Sequence, residues 1–217
     1  MRARRKGIDP RSGLVLLAAT LLISVWLGPA AWAGIVGSLH DFSDDGWTNN
    51  PNNEICLPCH IPHNALDVVD APLWNHTLST ATYTLYDSPT FDATDIAQPG
   101  GASKLCLSCH DGTVAVDAFS GLTGSEGNLT GDANLGTDLS DDHPISFTYD
   151  DSLSTTDGEL FAPSSTNSGL GSTIDDDMLF AGKMQCASCH DVHNTVAVAG
   201  TALLLKTNAN SQLCLTC

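Results

Sequence analysis

Hydrophobic positions crowd the start of this chain and are thinly spread after it. Residues 14–27 form one apolar run, closed by Gly28-Pro29, behind a start that carries Arg2, Arg4, Arg5, Lys6 and Arg11. Ala31-Trp32-Ala33 has the small-residue pattern of an export cleavage site. The run is short against the roughly 20 residues of a membrane span. Residues 1–33 are therefore expected to be a signal peptide. The mature chain would begin at Gly34, exported to the periplasm or the extracellular space, with no stable membrane span after cleavage. An uncleaved anchor is the alternative.

Past residue 33 the periodic stretches are brief. Tyr83-Thr84-Leu85-Tyr86 and Ile145-Ser146-Phe147-Thr148-Tyr149 alternate as short strands do. Residues 113–119 suit a helix or a short strand. Gly, Ser, Thr, Asn and Asp fill 121–142 and 150–177, which predicts turns and loops. Prolines at 51, 58, 62, 72, 89, 99, 144 and 163 punctuate the remainder. The length suggests one domain over residues 34–217, yet the apolar positions are too sparse for an ordinary core, and so polar a chain would by itself tend to disorder.

The cysteines change that picture. All eight fall in C-x-x-C pairs: Cys56 and Cys59, Cys106 and Cys109, Cys186 and Cys189, Cys214 and Cys217. The first three pairs are followed directly by His60, His110 and His190. C-x-x-C-H is the pattern of c-type haem attachment. Two thiols add across the vinyl groups of one porphyrin, and the adjacent imidazole turns onto the iron. A tetrahedral zinc site would draw on two cysteine pairs, and disulfides would suit an exported chain. Neither gives a reason for a histidine directly after each pair. The fourth pair closes the sequence without its histidine; the natural protein is expected to continue with one, and a three-haem protein with a vestigial pair is the alternative.

Four haems c would supply the missing core, each a large apolar plate tied covalently to the chain. The expected fold is mostly irregular and loop-rich, with short α-helices around the motifs, minor short β-structure, and the chain wrapped around a haem stack. A helical turn should begin at each motif. Removal of residues 1–33 would leave Lys104, Lys183 and Lys206 against 24 carboxylates, a net charge of −21. Such a surface disfavours nucleic acid and anionic membranes and favours basic partners or cations. Asp-rich tracts at 138–142 and 175–177 offer oxygen ligands of the kind calcium takes, without EF-hand spacing.

The motifs repeat in pairs. Residues 56–64 read CLPCHIPHN and residues 186–194 read CASCHDVHN, while Leu105-Cys106-Leu107-Ser108-Cys109 parallels Leu213-Cys214-Leu215-Thr216-Cys217. Two tandem di-haem units are expected, approximately 34–142 and 143–217. First cysteines are separated by 50, 80 and 28 residues, too uneven for a solenoid. This layout resembles the multihaem cytochromes with doubled C-x-x-C-H motifs. The resemblance extends over Leu39-His40-Asp41-Phe42-Ser43, residues 59–65, Ala71-Pro72-Leu73-Trp74-Asn75-His76, residues 109–113, His143-Pro144-Ile145-Ser146-Phe147 and residues 189–194. Within that group it looks closest to secreted tetrahaem cytochromes that polymerise into electron-conducting extracellular filaments.

Five further histidines are candidates for the second axial position: His40, His63, His76, His143 and His193. His is a common axial ligand, and beyond residue 33 only Met178 and Met184 compete. His63 and His193 each follow a proximal histidine by three residues, on nearly the same side of one helical turn. Neither can cross to the far face of its own haem, so each would ligate a neighbouring one. Five candidates for four irons leave one over. The resemblance implies that His40, near the expected mature start, ligates a haem of an adjacent subunit in a homopolymer; ligation within its own chain is the alternative.

Two imidazoles per iron would leave no open position for substrate. The expected function is electron transfer through closely packed bis-His haems of low potential, not catalysis. Partners would be other redox proteins or extracellular electron acceptors. A multihaem reductase subunit and a structural, haem-stabilised filament protein are the alternatives.

Overall fold

The computed structural model describes residues 34–68, 71–193 and 203–217. The expected signal peptide, residues 1–33, lies outside the described residues, as does Asn194 of the third motif's extended pattern. Gly34–Cys217 forms one compact unit. In chain order its regular elements are α1 (Gly101–His110), β1 (Phe147–Thr148), α2 (Asp151–Asp157), α3 (Ile174–Met178) and β2 (Lys183–Met184). Short 3-10 turns lie at Phe42–Asp44, Gly131–Ala133, Cys186–Ser188, Ala209–Ser211 and Cys214–Thr216. Most of the described chain is loop, as expected for this composition.

Each cysteine pair sits on a helical turn. In the first motif the N–H groups of Cys59 and His60 both donate to Cys56 O, at 3.2 and 2.8 Å. The second motif ends α1, whose Ala102, Ser103, Leu105, Leu107 and Ser108 are buried. The third and fourth lie on 3-10 turns. A turn of this kind brings both sulfurs and the imidazole to one side of the backbone.

Strand character is slighter than the alternation predicts. β1 and β2 pair antiparallel, with Phe147 opposite Met184 and Thr148 opposite Lys183. Ser146, at φ 63°, leaves the strand conformation and confines it to two residues. Of residues 83–86 only Thr84 makes a bridge, to Asp138. Residues 113–119 are neither helix nor strand. Gly112, at φ +69°, ends α1, and the segment then turns back with Ala118 N–H on Ala115 O.

The polar tract 150–177 departs from its predicted loop. It holds α2 and α3, each started by a side-chain cap. Asp150 accepts from Leu153 N–H at 2.8 Å, and Thr173 accepts from Asp176 N–H at 3.2 Å. Acidic residues in both first turns suit the positive end of the helix dipole. On α3, Ile174 and Met178 lie four apart on one face and are fully buried. The Asp-rich tracts use their carboxylates locally. Asp138 accepts from the Ser140 hydroxyl at 2.7 Å, Asp176 from the Ser172 hydroxyl at 2.6 Å, and Asp177 from Ser172 N–H at 2.7 Å.

The apolar core is split in two. One cluster gathers Phe147, Tyr149, Ile174, Met178 and Leu213, with Cys189 and Cys217 packed against it. The other is Tyr83, Leu107 and Leu139. A separate aromatic row runs from Phe42 to Trp47 to Phe119, with centroids 5.1 and 6.0 Å apart.

Two outcomes follow for chemical unfolding. Asp150→Ala removes the α2 cap and is expected to lower the unfolding free energy by about 1 kcal/mol. Asp95 ties the strand pair together, accepting from Thr148 Oγ1 at 2.6 Å, Thr148 N–H at 3.0 Å and Lys183 Nζ at 3.0 Å. Chiefly the Thr148 hydrogen bonds, then Lys183, hold its carboxyl down to about 2. Its contribution is therefore present above the unfolded value of about 3.9 and lost as pH falls through the folded one. Asp95→Asn should cost no more than about 1 kcal/mol at neutral pH, because the pair is exposed. The difference from wild type should vanish when denaturant curves are repeated toward pH 2.

Candidate functional site

The four motifs come together in their sequence order. The Cys59 thiol lies near enough to those of Cys106 and Cys109 to affect their ionisation. The Cys106 and Cys186 thiols lie near enough to shift each other's ionisation, Cys106 upward and Cys186 downward. Cys189 lies beside Cys214 and Cys217. The first motif thus neighbours the second, the second the third, and the third the fourth. No two of the eight cysteines form a disulfide. Burial, before any neighbouring charge, pushes Cys59, Cys189 and Cys217 to about 11 and Cys109 to about 12.

The imidazoles of the first two motifs are held from behind. His60 Nδ1 lies 2.8 Å from Pro72 O, and His110 Nδ1 lies 2.7 Å from Ala133 O. In a neutral imidazole, a carbonyl on Nδ1 makes that nitrogen the donor and leaves the lone pair on Nε2, on the far side of the ring, where a metal could take it. The carbonyls are delivered by straps of chain. In the first motif Ile61 N–H donates to Leu73 O, and Asn75 N–H donates to Cys59 O, both at 2.9 Å. The third motif repeats this bond for bond: Asp191 N–H to Leu203 O at 2.7 Å and Leu205 N–H to Cys189 O at 2.9 Å. Leu73 and Leu203 each lie 13 residues past their motif histidine, and both adopt positive φ, 60° and 54°. The duplication read from the cysteines thus continues through the straps.

The second motif uses a different strap. Leu135 N–H donates to His110 O at 2.7 Å, and the same loop carries Ala133. Gly112 lets that loop approach. A Cβ there would lie 2.5 Å from the Asn134 side chain. Asp111, only 3% exposed, braces the turn. It accepts from Tyr83 Oη at 2.7 Å, from Thr113 N–H and Oγ1 at 2.8 Å, and from Ser79. Burial alone would raise its carboxyl; the donated hydrogen bonds outweigh that and hold it below the usual carboxylate range.

Two of the distal candidates lie beside motif histidines. The His193 and His60 ring centroids are 6.2 Å apart, their planes 17° from parallel. Those of His40 and His110 are 6.0 Å apart. Two imidazoles trans on one metal, at about 2.0 Å per bond and about 1.1 Å from nitrogen to ring centre, have centroids about 6 Å apart. Both pairs fit that separation. His40 also lies within electrostatic reach of His190. Burial first, then the neighbouring His110 and His190, pushes its pKa down to about 4, so it is neutral at pH 7, as a ligand must be. Its Nδ1 is buried without a hydrogen-bond partner, as is Trp74 Nε1, whose ring lies 6.1 Å from His60. Unpaired buried polar atoms are rare in folded proteins; here two lie beside the proximal imidazoles. The residues present therefore fit haem: paired thiols, an imidazole braced on Nδ1, and a second imidazole at trans spacing.

The other candidates are placed differently. His76 is buried, with Nδ1 2.8 Å from Thr77 O and Nε2 3.1 Å from Ala115 O, and its Nε2 lies 3.4 Å from Cys109 Sγ. It borders the second motif through the cysteine and not the imidazole. His63 and His143 are exposed. Among the described residues no three His, Cys, Asp or Glu side chains converge as a cage for a metal ion, and no helix is long and apolar enough to cross a membrane. Neither a family model nor a curated protein matches the chain.

Gly112→Ala is expected to destabilise the fold by at least about 1 kcal/mol through its positive φ and the Asn134 contact. By displacing Ala133 O it should also loosen His110. Denaturant unfolding and the linewidth of the His110 ring resonances check the two effects separately.

Proposed function

We propose that this chain carries electrons through covalently attached c-type haems, one on each cysteine pair, in an exported and respiratory setting. The observation that carries the reading is the coincidence of three complete C-x-x-C-H turns with imidazole pairs at trans-axial spacing. His60 with His193 would hold the first haem, and His110 with His40 the second. His190 supplies the proximal ligand of the third. His63, His76 and His143 remain as distal candidates, and the fourth pair offers Cys214 and Cys217. The haem would supply the redox couple. The residues of the chain bind it, hold neutral imidazoles on both faces and keep substrate from the iron.

The succession of motifs supports a relay. Neighbouring thiols are close enough to affect one another's ionisation, so haems attached to them would be near neighbours. Paired imidazoles without a methionine favour low potentials, suited to donating electrons onward to other redox proteins or to extracellular acceptors. The closeness of His40 to His110 supports ligation within one chain over ligation between subunits. Calcium remains a proposal for the Asp-rich tracts alone.

The test is the intact denatured mass of the exported protein with its ferric EPR spectrum. The expected result is one haem per cysteine pair, all low-spin, with no response to nitrite or hydroxylamine. His193→Ala and His40→Ala should each convert one haem to high-spin and leave the haem count unchanged. A mass without haem would overturn the reading. So would a native high-spin haem that binds nitrite, which would mark a reductase.

A further inference from the structure

The second and third motifs are joined by buried polar side chains that the electron-transfer reading does not require. Ser103 lies on α1, three residues before Cys106, and Gln185 directly precedes Cys186. Both are buried, at 0% and 4% exposure. Gln185 Oε1 accepts from Ser103 Oγ at 2.5 Å, from Ser103 N–H at 3.3 Å and from Ser146 Oγ at 3.2 Å. Ser103 Oγ in turn accepts from Cys186 N–H at 3.0 Å. Ser188 Oγ closes the turn by accepting from Gln185 N–H at 2.8 Å. Ser146, at the entry to β1, ties the same amide to the strand pair.

The consequence is geometric. The amide oxygen of Gln185 and the hydroxyl of Ser103 lock the start of the third motif to the middle of α1. Cys106 and Cys186, the first cysteines of their motifs, are thereby held as neighbours, Cys186 through its own N–H on Ser103 Oγ. Helix and turn are rigid over the three residues and one residue that separate these groups from the sulfurs. A buried amide that lost its partners would carry a cost of about 1–3 kcal/mol, so the clasp resists opening. Among the described residues no comparable side-chain bridge joins the first and second motifs, where Asn75 Nδ2 reaches Leu57 O and Ser120 instead.

We infer that Ser103 and Gln185 are positioning residues that fix the separation of the haems on the second and third motifs, and with it the electronic contact between them. This rests on the haem reading above. Ser103→Ala removes both hydroxyl bonds with almost no change of volume and suits a helix. Gln185→Met keeps the length of the side chain and removes the acceptor. Gln185→Glu keeps an acceptor oxygen.

The experiment measures haem count by denatured mass, ligation by EPR, and haem–haem coupling by the bisignate Soret circular dichroism and the spin-coupled part of the ferric EPR spectrum. Ser103→Ala is expected to keep the wild-type haem count and low-spin ligation while weakening the coupling signals at least twofold. Gln185→Met should do the same, and Gln185→Glu should recover much of the loss. Unchanged coupling in Ser103→Ala with full haem content would overturn the clasp and leave the haem reading intact. Wild-type protein without haem on the second and third motifs would overturn both. If Gln185→Met fails to mature, Ser103→Ala decides alone.

Discussion

Much at this site depends on a backbone carbonyl placed behind the imidazoles of the first two motifs. A C-x-x-C-H turn presents sulfurs and a ring on one side, but it does not choose which ring nitrogen is left as the lone-pair donor. Pro72 O and Ala133 O make that choice for His60 and His110. Bringing a carbonyl to within 3 Å of a ring demands a second segment of chain, and that segment must be fastened. The fastening is costly. Leu73 and Leu203 take left-handed conformations, which a branched side chain populates at an expense of order 1 kcal/mol. Gly112 avoids the same expense and clears space for Asn134. Strain of this kind persists only where surrounding contacts over-determine it, and the straps carrying Leu73 and Leu203 are each fixed at two backbone bonds around their motifs.

The same straps account for the shape of the core. A chain this polar has few apolar side chains to bury, and they are divided between two clusters. Neither cluster is a layer of secondary structure. Each packs beside a motif: Leu107 lies inside the second motif, and Cys189 and Cys217 border the larger cluster. Regular elements are short because the chain is organised by local fastening. Side-chain caps from Asp150 and Thr173, Asx turns at Asp111 and Asp138, and the Gln185 amide do work that long strands and helices do elsewhere.

What was legible in the sequence follows from the range of each interaction. The helical turns at the motifs depend on residues within four positions and were readable from the spacing of cysteine and histidine. So was the pairing of the first motif with the third. The straps were not, because their carbonyls arrive 12 to 23 residues later. A signal existed in Leu73 and Leu203, equally spaced from their histidines, but a leucine does not advertise a positive φ. The helices at 151–157 and 174–178 were hidden by composition: Asp, Ser and Thr read as loop residues, yet the same side chains are the strongest N-caps. The partners of His60 and His110 were out of reach altogether. Nothing local links His40 to a ring 70 positions on, or His60 to one 133 positions on.

Those two separations bear on how the molecule is built. The cysteine order suggests two di-haem units in tandem. The imidazole pairs cross between them. His193, in the second half, lies beside His60 of the first motif, while His40 lies among His110 and His190 from both halves. Contacts so distant in sequence close large loops, whose entropy must be met before any local gain is complete. If these imidazoles share irons as proposed, the first haem could not reach its final ligation until the third motif had been made and folded. The duplicated halves would then be one cooperative unit, held together by ligands exchanged across the repeat as well as by the clasp between the second and third motifs. A carrier made this way gains a fixed order of redox centres from a sequence with too little apolar surface to fix it by packing alone.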